Sequence, residues 1–144
     1  MTTLTGSVNY NTNSFDSDPS IFFNDEDQFD FENGVPETRG VVSVKHRYED
    51  WMIVGRINYY GGYENAENSS LSTVQTFGSE FMFDLESSYT LSENLTLSVG
   101  VRNLFDNYPD AGTMGETCCG RIYRSDSIVD WQGGYYYTRL AARF

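Results

Sequence analysis

Tyr135-Tyr136-Tyr137-Thr138-Arg139-Leu140-Ala141-Ala142-Arg143-Phe144 alternates strictly. Tyr136, Leu140, Ala142 and Phe144 share one face, and Arg139 and Arg143 share the other. Period-two alternation marks a strand with one apolar side. Chain ends of soluble domains usually fray into polar residues. A strand that stops on an aromatic ring is expected where its outward face meets lipid.

The same alternation recurs upstream. Leu4, Gly6, Val8 and Tyr10 oppose Thr3, Thr5, Ser7 and Asn9 in residues 2–11. In residues 39–48, Val42, Val44, His46 and Tyr48 oppose Arg39, Ser43, Lys45 and Arg47. Trp51, Ile53, Ile57, Tyr59 and Tyr63 line one side of residues 51–63. Phe81, Phe83, Leu85 and Tyr89 oppose Glu80, Asp84, Glu86 and Ser88 in residues 77–90. Leu95, Leu97, Val99 and Val101 oppose Thr96, Ser98, Gly100 and Arg102 in residues 95–105. With the last stretch this predicts about six strands. Their connections alternate long and short: residues 12–38, Glu49-Asp50, residues 64–76, Ser92-Glu93-Asn94, and residues 106–134. Long loops at one rim and tight turns at the other describe an outer-membrane meander.

Composition agrees with strands and turns. Aromatic residues make up 16% of the chain, and no long run of helix formers interrupts them. No apolar run approaches the roughly 18 residues of a membrane-spanning helix. A membrane strand needs only about ten alternating residues, so the negative mean hydropathy leaves that class open. The expected fold is therefore all-β: an antiparallel meander, the C-terminal part of a transmembrane β-barrel, and an open sheet when taken alone. The apolar sets, from Trp51, Ile53 and Ile57 through Leu140 and Phe144, are expected on the outer face. Arg56, Glu80, Asp84, Glu86, Arg102, Arg139 and Arg143 are expected on the inner face.

Here the chain resembles a known family. Val99-Gly100-Val101-Arg102-Asn103-Leu104-Phe105-Asp106-Asn107-Tyr108-Pro109 is similar to the penultimate strand of TonB-dependent outer-membrane receptors. Its core is Asn103, Leu104, Phe105 and Asp106. The ending from Gly134 to Phe144 resembles the last strand of the same family, and the order of segments from Pro36 onward agrees. The resemblance implies a barrel of about 22 strands around a plug domain. It implies active uptake of a scarce ligand, such as an iron siderophore, powered through the TonB complex. Residues 1–144 would be the C-terminal portion of that barrel, with no plug, no TonB box and no signal peptide among them. TonB would then engage only through the absent N-terminal part. The resemblance also assigns Tyr136, Leu140, Ala142 and Phe144 to the signal read by the barrel assembly machinery. Expected partners are outer-membrane lipid, that machinery and a small extracellular ligand, in the cell outer membrane of a Gram-negative bacterium.

Chemistry-bearing residues add little. Ser, Asp and the single His46 do not converge on a triad, and no glycine spacing suits a phosphate loop. No enzyme activity, cofactor or metal is expected. The net charge of −12 argues against nucleic acid. Residues 11–37 hold eight carboxylates, including Asp16, Asp18, Asp25 and Glu32, and no basic residue. Their spacing does not match a calcium loop, so a solvated surface loop is expected. Phe15, Phe22, Phe23, Phe29 and Phe31 either contact a ligand or pack that loop. Cys118 and Cys119 are disulfide candidates, with each other in a strained vicinal bridge or with cysteines elsewhere in a longer chain. Two other readings stand beside the receptor: a soluble all-β ligand-binding module, and an outer-membrane barrel closed by several copies.

Overall fold

Ten residues of alternating polarity on either side of Glu49-Asp50 fold back on each other, and that hairpin sets the architecture. A computed structural model describes residues 1–113, 122–124 and 127–144. Its strands are β1 (Thr2–Tyr10), β2 (Thr38–Tyr48), β3 (Trp51–Tyr60), β4 (Tyr63–Ala66), β5 (Val74–Phe77), β6 (Glu80–Ser92), β7 (Leu95–Arg102) and β8 (Tyr135–Ala142). One helix, α1, spans Asp25–Asn33. Six strands form one sheet in the order β1-β2-β3-β6-β7-β8, every pair antiparallel. The sheet is open, with β1 and β8 as its edges. The tight turns lie at one end: Glu49 takes a left-handed φ of 52°, and the Thr90 N–H donates to Asp50 O of the neighbouring turn at 2.9 Å. The long connections emerge at the other.

The expected meander is thus present, with four corrections. The first loop, expected as a solvated surface loop, contains α1, so the chain is mostly rather than wholly β. Asn24 caps α1 by accepting from the Asp27 N–H at 2.8 Å, and Asp25, Glu26 and Asp27 meet the positive end of its dipole. The helix has no apolar period, which is why alternation did not find it. Second, the expected long strands at Trp51 and Phe77 each break. Gly61 and Gly62 end β3, and residues 63–77 form a separate hairpin, β4–β5. Third, β7 ends at Arg102, short of the expected Phe105. Fourth, β8 ends at Ala142. The Arg143 N–H still donates to Asn94 O at 3.0 Å, but Phe144 lies exposed beyond the strand, so its face is not set by β8.

Register assigns the two faces. One row runs Leu4, Val44, Gly55, Leu85, Val101, Tyr136; another runs Tyr48, Trp51, Tyr89, Leu97, Leu140. Every strand gives its apolar set to this one face, as the alternation requires. Helix α1 packs on β4 and on no strand of the six-stranded sheet, and β4–β5 pack on none either. The apolar face therefore carries no second layer of strand or helix: Val8 is 78% exposed and Val99 55%. The total accessible surface is 9937 Å². A monomer of this 16.4 kDa mass ordinarily exposes about 7,500 Å². The excess belongs to a sheet with no second layer.

Candidate functional site

The polar face and the loop rim carry what this chain has of a site. On the polar face the register places Arg39, Lys45, Arg47, Arg56, Arg102 and Arg139 against Glu80, Asp84 and Glu86. The expected inner set thus shares one face, except Arg143, which lies past the end of β8.

Glu86 is the hub near β8. Its carboxylate accepts from the Tyr137 hydroxyl at 2.6 Å and from Arg139 Nη2 at 2.9 and 3.1 Å. Glu86 and Tyr137 both pair with Gly100 on the strand between them. The Tyr137 ring lies across that glycine: a Cβ at Gly100 would stand 2.4 Å from the ring. Removing one side chain lets the next strand's tyrosine reach over β7, so β8 is tied directly to β6. Asp84 is a second hub. It accepts from Asn58 Nδ2 at 3.1 Å and from the Asn103 N–H at 3.1 Å.

Asn103-Leu104-Phe105-Asp106 forms a knot at the rim, not a strand end. Asn103 and Asp106 take left-handed φ values of 51° and 55°, which Asn and Asp tolerate better than other non-glycine residues. Asn103 donates to Asn107 O at 2.7 Å and accepts from the Asn107 N–H at 3.0 Å. The Leu104 N–H donates to Phe83 O at 2.7 Å, and Phe105 packs edge-on to Phe83 on the apolar side. Asp106 Oδ1 accepts from the Gly134 N–H at 2.7 Å, which closes the long third loop at its base. Gly133 has φ +78°, and a Cβ there would meet Asp106 Oδ1 at 2.5 Å. The Tyr108 hydroxyl donates to Asp106 Oδ2 at 3.3 Å, and that bond raises the Tyr108 pKa above its ordinary value.

The long loops interlock. Asp30 of α1 accepts from the Ala66 N–H at 2.7 Å, joining the first loop to β4. Gln75 of β5 donates to Ala111 O and accepts from the Thr113 N–H. Arg124 meets the largely buried Glu67 at 2.9 Å. Phe15 packs against Phe23 and Phe31, so these rings fold the acidic loop, while Phe22 stays exposed. Asp18, held by the Ser20 N–H at 2.9 Å, has its pKa lowered.

A cleft of about 380 Å³ opens where the third loop returns over the polar face. Asn58, Tyr60, Met82, Asp84, Arg102 and Tyr135 wall it from the sheet, and Val129, Asp130, Gln132 and Gly133 wall it from the loop. Met82 and Val129 are buried and form its apolar part. A second cleft of about 330 Å³ lies deeper on the same face, lined by Arg56, Arg102, Tyr137 and Arg139 among others.

Of the residues singled out in the sequence, Tyr136 and Leu140 lie on the exposed apolar face with Ala142 at the end of their row. Asn103 and Asp106 come together with Gly134, which lies 28 residues of sequence beyond Asp106. Cys118 and Cys119 lie outside the described residues. Among the described residues no His, Cys, Asp and Glu gather as a metal site, and His46 bonds Thr2 Oγ1 at 2.8 Å on the apolar face. The joints at Gly100–Tyr137 and Asp106–Gly134 were not expected from sequence. Their one local signal is a glycine inside, or just before, an alternating segment. Comparisons of the chain with protein-family models, with curated proteins and with solved structures gave no match.

Proposed function

We propose that this chain is the C-terminal barrel portion of a TonB-dependent outer-membrane receptor, which takes up a scarce ligand such as an iron siderophore. One observation carries the reading: an uncovered apolar face bounded by two aromatic rows. Tyr48, Trp51 and Tyr89 stand side by side at the tight-turn end, with Trp51 and Tyr89 rings 4.8 Å apart. Tyr59 and Phe81 stand side by side at the loop end, 4.9 Å apart. Between them lie Val42, Val44, Ile53, Ile57 and Leu85. Ten strand residues reach about 34 Å, and at a tilt of about 45° they cross about 24 Å of hydrocarbon. Aromatic belts at both interfaces suit that arrangement.

The open edges support a sheet completed by further strands, because unpaired backbone groups are costly in lipid. The polar face then lines a hydrated interior, and the interlocked loops form part of the outward ligand-gathering rim. The mechanism is binding and gated passage, with no covalent step.

The test is fractionation of cells carrying the gene in its native context, followed with an antibody to the acidic 12–33 loop. The product is expected in the outer membrane, resistant to carbonate and urea extraction. Recovery in the periplasm or the culture fluid would favour the soluble binding module instead. Ligand uptake that persists after collapse of the proton gradient would remove the TonB-dependent part of the proposal.

A further inference from the structure

From the deeper cleft on the polar face we infer that the chain holds a small oxyanion, with carboxylate or phosphate oxygens, between Arg56 and Arg102. The two arginines come from β3 and β7, on either side of β6. Both line the cleft of about 330 Å³. The carboxylates in its walls are already engaged. Glu86 holds Arg139 in a two-bond contact and accepts from Tyr137. Asp84 accepts from Asn58 and from the Asn103 N–H. Arg56 stands 4.0 Å from Asp84, too far for a hydrogen bond, and its side chain is half exposed. The Arg102 side chain makes no hydrogen bond or ion pair among the described residues.

Two guanidinium groups therefore line one cleft with their planar N–H forks free of side-chain hydrogen bonds. Such forks match carboxylate and phosphate oxygens two at a time. The walls carry three arginines against two carboxylates, so the pocket favours an anion. The acidic first loop lies beyond the loop end of β3, several residues along the strand from Arg56. Screening over about 8–10 Å keeps its field from cancelling the site. The inference concerns this face alone and does not depend on how the sheet is closed.

The experiment is titration calorimetry of the whole chain in a non-ionic detergent at about 0.1 M ionic strength, where that screening holds, with citrate and pyrophosphate as probes. Saturable binding of either is expected, and the tighter of the two names the class of anion. Arg102→Gln and Arg56→Gln should each weaken it about ten- to a hundred-fold. Arg47→Gln, on the same face near the tight turns, should leave it unchanged. Far-UV circular dichroism checks that each variant keeps its sheet, and Arg102→Lys, which keeps the charge, stands in for Arg102→Gln if that variant loses it and should bind several-fold more weakly. No saturable binding by the wild-type chain overturns the inference. So does an equal loss in Arg47→Gln, which would mean diffuse attraction to a basic face, and so does full affinity in whichever Arg102 variant is folded.

Discussion

Gly100 matters because of what its missing side chain admits. Alanine there would press the Tyr137 ring aside and cost the 2.6 Å bond to Glu86. Gly100→Ala is expected to destabilise the sheet by about 1–3 kcal/mol, from overpacking and the lost bond together. In a Tyr137→Ala background the same change should be close to neutral, because nothing then lies over the glycine. Urea midpoints of the four combinations measure this coupling, and additive effects would show that the ring and the glycine are independent. Phe144 is a residue of another kind. It is exposed, lies past β8 and contributes nothing that this sheet needs. Under the proposed function its ring is read by the assembly machinery. Phe144→Ser should therefore lower the folded product in the outer membrane several-fold while Phe144→Tyr leaves it unchanged, as immunoblots of membrane fractions would record. Equal levels for all three would reduce Phe144 to a chain end.

At the scale of elements, α1 and the Asn103–Asp106 knot can each be tested at one side chain, the cap Asn24 and the loop clasp Asp106. Asn24→Ala removes the helix cap and should cost about 1 kcal/mol of local stability. Among the strands the helix packs only on β4, so faster amide exchange is expected across residues 24–34 with the six strands of the main sheet unchanged. Slower exchange there, or a loss spread through the sheet, would contradict the contact pattern. Asp106→Ala releases the Gly134 N–H and the Tyr108 hydroxyl together. Limited proteolysis should then cut first within residues 103–134. Asp106→Asn keeps an oxygen for Gly134 and should be intermediate.

For the whole molecule the question is what meets the apolar face. A lysine on a lipid face costs about 2–4 kcal/mol near the bilayer midplane. The same lysine at a water-exposed strand position usually changes stability by no more than about 0.5 kcal/mol. Ile57 is 38% exposed in the middle of β3, on the apolar side. Under the proposed function, Ile57→Lys is expected to abolish or sharply reduce recovery in the membrane. Ser7→Lys, on the polar side of β1, should have little effect. If both variants accumulate alike, the apolar face does not meet lipid.

The amino-acid sequence by itself determined the six strands of the main sheet, their order and the face that each residue inside them takes, but not the β4–β5 hairpin or the strand ends. A period of two is a local property, and each segment from residues 2–11 to residues 135–144 carries it whole. Alternation of long and short connections likewise fixed which ends share a rim. The acidic helix escaped, because its nine residues have a cap and a favourable first turn but no apolar stripe to count. Only tertiary structure decided the joints. Tyr137 meets Glu86, Asp106 meets Gly134, and Gln75 meets Thr113 across sequence separations of 51, 28 and 38 residues. No window of sequence contains both partners of such a bond. Whether Asn103-Leu104-Phe105-Asp106 continues a strand or ties a knot depended on Asp84, Phe83 and Gly134 being there to receive it, and their presence follows from the register of β6, β7 and β8 rather than from the motif.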